Sequence, residues 1–114
     1  MFKTENDHLN LLAILEAIEK IEKITCSIPS AEEFEKDFIS FDATLMNFIV
    51  IGEMTLRLSP VFMDHHNQVQ WFKLRAFRNF VAHNYFRIDA EKVWEIIQTK
   101  LPDIKIKITK MMND

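Results

Sequence analysis

One glycine, Gly52, and three prolines supply nearly all the special turning conformations open to a chain of 114 residues. A sandwich or barrel of short strands needs a turn signal about every 8 to 12 residues. This chain cannot furnish them, although hydrophobic residues make up 48% of it. Plentiful apolar material with few breaks favours long helices packed on one another, an all-α fold. The length suits a single domain over residues 1–114 with one core.

The apolar spacing agrees. Leu11, Ile14, Leu15, Ile18 and Ile21 recur at the i, i+3, i+4, i+7 positions of a buried helical stripe. With Asp7 as its cap, this predicts a helix over residues 7–24. Ser30-Ala31-Glu32-Glu33 is a capping-box pattern and predicts a short helix after Pro29. A longer helix runs from Phe41 through Leu45, Phe48, Ile49 and Leu56 to Ser59, where Pro60 disfavours the α conformation of its predecessor. Gly52 within it points to close helix packing. Pro60 starts a turn or two of helix through Met63, and residues 65–68 read as a loop.

Residues 70–83 form the next helix, with Leu74, Phe77, Val81 and Trp71 on one face and Arg75, Arg78, Asn79 and Ala82 on others. Asp89 caps a further helix with Val93, Ile96, Ile97 and Leu101 inward, and Pro102 ends it or starts another. Ile104 to Ile108 alternate with lysines at a strand's period of two, but a lone strand would have no partner, so the tail is assigned to helix.

Ten Phe, six Met and two Trp exceed what so small a core needs, which suggests a subunit interface. Cys26 is the sole cysteine, so neither an intrachain disulfide nor a cysteine zinc cluster can form, and the cytoplasm is the compartment this implies. The N-terminus lacks a basic segment leading into an apolar run, and no apolar stretch approaches the roughly 18 residues of a membrane helix, so no membrane role is expected.

Charge is unevenly distributed. Residues 65–88 contain no Asp or Glu, but hold Lys73, Arg75, Arg78 and Arg87 with three histidines. The rest of the chain carries ten basic against seventeen acidic residues. A local basic surface on an acidic protein suits a phosphate-bearing ligand, although a solvated face would have the same composition.

Inside this segment Arg78-Asn79-Phe80-Val81-Ala82-His83-Asn84-Tyr85 places Arg, His and Tyr near a helix end. Arginine offers a planar fork of donors to a phosphate, and histidine exchanges protons near neutral pH. RNA brings its own nucleophile, the 2′-hydroxyl, so cleavage needs a base, an acid and charge stabilisation but no metal or other cofactor. Five helical residues put Arg78 and His83 roughly 140° apart around the axis. They meet only if the helix frays near His83 or if a second chain contributes, and a symmetric dimer would supply two of each. By itself the spacing is a weak signal, since a helical Arg and His five apart are more often a surface charge and a hydrogen-bonded histidine. Glu53 and Arg57, at i and i+4, read as a helix-stabilising pair.

The segment Arg-x4-His-x-Tyr resembles the motif of the HepT-like branch of the HEPN superfamily. Further elements occur in matching order: Ile51-Gly52-Glu53, Arg57-Leu58-Ser59-Pro60, Trp71, Ile88-Asp89, Val93-Trp94 and Leu101-Pro102, with Leu15 to Ile18 and Asp42-Ala43 before them. The resemblance implies a HEPN-type bundle of four to five helices, a homodimer with facing motifs, and a toxin of a type II toxin-antitoxin system. Such a toxin is a metal-independent endoribonuclease acting on RNA, with tRNA among the candidates. It also implies an antitoxin partner, a minimal nucleotidyltransferase that silences the toxin by AMPylation of Tyr85. By position, Arg78 and His83 would be catalytic, Asn79 and Arg75 supporting, and Tyr85 the modified residue. Arg87 stands where a small residue is usual, Asn84 fills the variable position, and Met54-Thr55-Leu56 replaces a run of small residues. Two other readings fit the residues: a non-catalytic HEPN module binding a nucleotide or a nucleotidyltransferase, and a helical interaction subunit with a vestigial motif.

Overall fold

The computed structural model describes residues 4–113, and the described part is helical with no β-strand. Seven α-helices follow in order among the described residues: α1 (Glu5–Thr25), α2 (Ala31–Lys36), α3 (Phe38–Leu56), α4 (Pro60–His65), α5 (Trp71–Asn84), α6 (Ala90–Glu95) and α7 (Leu101–Met112). A 3₁₀ turn at Tyr85–Arg87 follows α5, and a π turn at Ile96–Lys100 joins α6 to α7 into one rod. Four long rods therefore build the bundle, with α2 and α4 as short braces, as an all-α HEPN-type fold requires.

The α3 helix is the centre, packed against α1 on one side and α5 on the other, while α7 lies on α1. Its inner face contributes Leu45, Phe48 and Ile51 to a core shared with Leu11, Ile14, Ile18, Leu74 and Ile108. This helix is also long and apolar enough, by length and composition alone, to cross a membrane, contrary to the sequence expectation. A third of that apolar window is buried, where the helix packs on its two neighbours, and Phe38, Ile39, Met46 and Leu56 stay exposed. Phe34 joins α2 to its surroundings through ring contacts with Phe41 (5.1 Å) and Trp94 (5.3 Å).

Several boundaries differ from the sequence reading for local reasons. Thr4, not Asp7, caps α1: its hydroxyl accepts from the Asp7 N–H at 3.0 Å, and Asp7 returns the bond to the Thr4 N–H at 3.2 Å. Asp7 is thereby the third residue of a capping box. Asp37 caps α3 by accepting from the Ser40 N–H at 3.1 Å, so α3 starts before Phe41. It also ends at Leu56, before Ser59, because Ser59 is taken as the cap of α4, accepting from the Phe62 N–H at 3.3 Å.

Pro102 begins α7 rather than ending its predecessor. Lacking an N–H, it cannot bond the carbonyl one turn back. The chain widens into the π turn just before it, and the Leu101 N–H reaches Ile96, five residues earlier. The tail is helical as expected, and Ile108 is buried while Ile106 faces out.

Candidate functional site

Gly52 sets the geometry from which the site grows. A Cβ there would sit 2.7 Å from the Arg78 backbone nitrogen, 2.8 Å from the Arg78 Cβ and 3.3 Å from the Arg75 carbonyl oxygen. Only a glycine lets α5 approach α3 this closely. Phe48 and Phe77 stack across the same contact with centroids 5.0 Å apart. Farther along, the Trp71 indole N–H donates to the His66 carbonyl at 2.9 Å and fixes the start of α5.

With its backbone pressed on α3, Arg78 directs its half-exposed side chain to Glu53, which accepts from the guanidinium Nε. A terminal guanidinium nitrogen, Nη1, donates to the Asn79 side-chain oxygen Oδ1 at a long 3.5 Å. Glu53 therefore pairs with Arg78 and not with Arg57 as the i, i+4 spacing suggested. The segment that is free of acids in sequence is not free of them in space, because α3 brings one in. Glu53 holds Nε and Asn79 holds Nη1 only at that long distance, so the terminal nitrogens are the ones a phosphate would take from the half-exposed fork.

His83 lies on the last turn of α5, exposed and without a hydrogen-bond or ion-pair partner among the described residues. The helix stays intact through Asn84, whose side-chain amide donates to the Phe80 carbonyl at 3.0 Å. Fraying at His83, one of the two routes by which Arg78 could reach it, is thus absent. Asn79 bonds Arg78 and makes no bond to His83, although the two share a face. Arg75 is exposed beside them.

Beyond α5, Tyr85 opens the 3₁₀ turn, 47% exposed, with its ring edge-on to Phe86 at 5.3 Å. Phe86 is 95% exposed. Arg87 also faces solvent. Asp89 then caps α6, accepting from the Glu91 N–H at 3.0 Å. Among the described residues no group of His, Cys, Asp and Glu is arranged to hold a metal ion.

Compared with known families, residues 14–111 match the family described as ribonuclease HepT-like. This chain belongs to the HepT-like ribonuclease family. Membership carries the enzyme class, endoribonuclease, with it, and the HEPN-type bundle agrees. The chain is 30% identical over 101 residues to a protein of Methanocaldococcus jannaschii described as a gamma-glutamylcyclotransferase and a candidate RNase. That match covers 89% of this chain but 45% of the relative, so the chain spans less than half of that protein. Similarity to the probable ribonuclease HepT of Thermococcus cleftensis is 29% and covers 97% of this chain and 98% of the other. A further candidate RNase of Methanocaldococcus jannaschii is 31% identical, over 73% of this chain and 69% of its own length. No solved structure matches the chain.

Within this HepT-like chain, sequence reasoning missed Glu53 as the partner of Arg78. The only signal was its position next to Gly52, since a residue beside the tightest helix contact is near whatever that contact presents.

Proposed function

We propose that this HepT-like chain is the toxin of a toxin-antitoxin pair, cutting cytoplasmic RNA, tRNA among it, by attack of the 2′-hydroxyl on the adjacent phosphate. The observation that carries this reading is Arg78, half-exposed and anchored by Glu53 through Nε, on the same helix as an exposed His83. In the reaction a base removes the 2′-hydroxyl proton and the oxygen attacks phosphorus. Arg78 stabilises the charge gathered on the phosphate oxygens, and an acid protonates the departing 5′-oxygen. The products are a 2′,3′-cyclic phosphate and a 5′-hydroxyl.

One His83 cannot serve as acid and base at once, and an intact α5 keeps it about 140° from Arg78. A symmetric homodimer with its α5 helices side by side would place two of each residue in one cleft. Support for that assembly comes from the outer surface of α3 and α5, where Ile39, Met46, Leu56 and Phe72 are exposed. Tyr85, accessible beside His83, would be the residue AMPylated by a nucleotidyltransferase antitoxin, whose added phosphate and bulk would obstruct the cleft.

The test is incubation of the purified chain with total tRNA in excess chelator, beside His83→Ala, with Tyr85 shown unmodified by intact mass. Cleavage by the native chain alone, with cyclic phosphate ends, supports the reading. Intact RNA in both reactions would refute it for these substrates.

A further inference from the structure

A groove of about 690 Å³ runs between α5 and the α6–α7 rod, on a different side of α5 from Arg78. Its two walls pack on different partners, α5 on α3 and α7 on α1, and this leaves the space between them unfilled. Part-buried Phe80, Ile96 and Ile104 form an apolar floor. Lys73 stands on the α5 wall, and Lys92 and Lys100 on the other, all exposed and without an ion-pair partner among the described residues. One acid lines the groove, Asp103, and Lys107 neutralises it at 3.0 Å. The same ammonium donates to the Gln68 carbonyl at 3.1 Å, clipping α7 to the loop ahead of α5 across the groove.

Resting on the ribonuclease reading above, we propose that this groove is a binding site for single-stranded RNA, holding the strand that leads away from the cleavage point. Cationic walls around an aromatic floor are what an unpaired strand requires, phosphates on the lysines and a base against a ring. The position agrees. Phe80 precedes His83 by three residues, within one turn and about 60° round the axis, and Lys73 lies about 15 Å back along the same helix. A strand cut at His83 would pass onto Phe80 and then between the lysines. An acidic protein helix would also meet complementary charge here. The continuity of the α5 wall with His83 favours RNA.

The experiment measures anisotropy of a fluorescein-labelled single-stranded RNA of mixed sequence, with every protein carrying His83→Ala so that the strand survives. One variant adds Lys73→Gln, Lys92→Gln and Lys100→Gln. A charge-matched control adds Lys20→Gln, Lys23→Gln and Lys110→Gln, exposed positions outside the groove. Loss of three phosphate contacts should flatten the slope of log K against log salt by about 2, and the control should leave it near the parent value. Phe80→Leu, which keeps apolar bulk but removes the π face, should weaken binding roughly tenfold with the slope unchanged. Equal effects of both lysine sets, or none, would overturn the groove assignment. If the native chain still cuts tRNA in that case, the ribonuclease reading stands and the groove serves another partner. If the parent neither binds nor its native form cuts, both fall.

Discussion

Arg78 is held by Gly52 as much as by Glu53: its backbone nitrogen lies where a Cβ on Gly52 would come within 2.7 Å. In an ordinary helix, Gly→Ala gains about 1 kcal/mol from backbone entropy. Here the obstructing atoms are two of the α5 backbone and the Arg78 Cβ fixed to it, none of which can swing aside, and overpacking of this kind costs about 1–3 kcal/mol. Gly52→Ala should therefore lower the melting temperature and displace Arg78, with cleavage falling more than stability. A more stable variant with full activity would contradict this account of the contact.

The Glu53 pairing predicts unequal effects at its two ends. Arg78→Lys retains charge but cannot bond Glu53 through Nε while offering a fork to phosphate, so kcat should fall about 10²-fold. Glu53→Gln leaves the fork intact but less firmly aimed, and a loss of roughly tenfold is expected. Steady-state kinetics on tRNA would separate them. Equal losses would mean that Glu53 does more than position.

His83 contributes nothing visible to the fold. Substitution by Ala at this exposed position should change stability by no more than about 0.5 kcal/mol, while removal of a proton-transfer group should slow cleavage by about 10²- to 10⁴-fold. Thermal melts beside rates would check both. A variant that unfolds would show that the histidine has a structural role.

Asp7 joins the start of α1 to the start of α4. The Ser59 N–H and hydroxyl each donate to its carboxylate at 2.7 Å, and it is 1% exposed. Burial alone pushes its pKa up, but the hydrogen bonds from Ser59 and Thr4 outweigh it and hold the carboxyl below its ordinary value. A carboxylate depressed in the folded state adds stability that is present above the unfolded pKa, about 3.9, and is lost as pH falls through the folded value. Asp7→Asn should cost about 2 kcal/mol near neutrality. The difference in melting temperature from the native chain should narrow below about pH 4. A gap independent of pH would point to packing instead of charge.

The sequence by itself determined the helices and the family. One glycine and three prolines, with apolar residues at helical spacing, leave little else to form, and that is why α1, α4, α5 and the helical tail fall close to where the pattern puts them. These are local properties, set by each residue and its neighbours within a turn or two. Caps were less legible, because Thr4 and Asp7 are both competent, and the Asp7 carboxylate is also bonded by Ser59, 52 residues away. The partner of Arg78 was not legible at all. Charge spacing along α3 pairs Glu53 with Arg57, but the approach permitted by Gly52 brings a guanidinium from another helix to it. The groove was hidden for the same reason: Lys73 belongs to the acid-free segment, whereas Lys92 and Lys100 lie outside it and face it only after α7 has packed on α1. Periodicity encodes which face of a helix is buried. Which helices then stand side by side is decided by shape, and with it the distances at which charges meet.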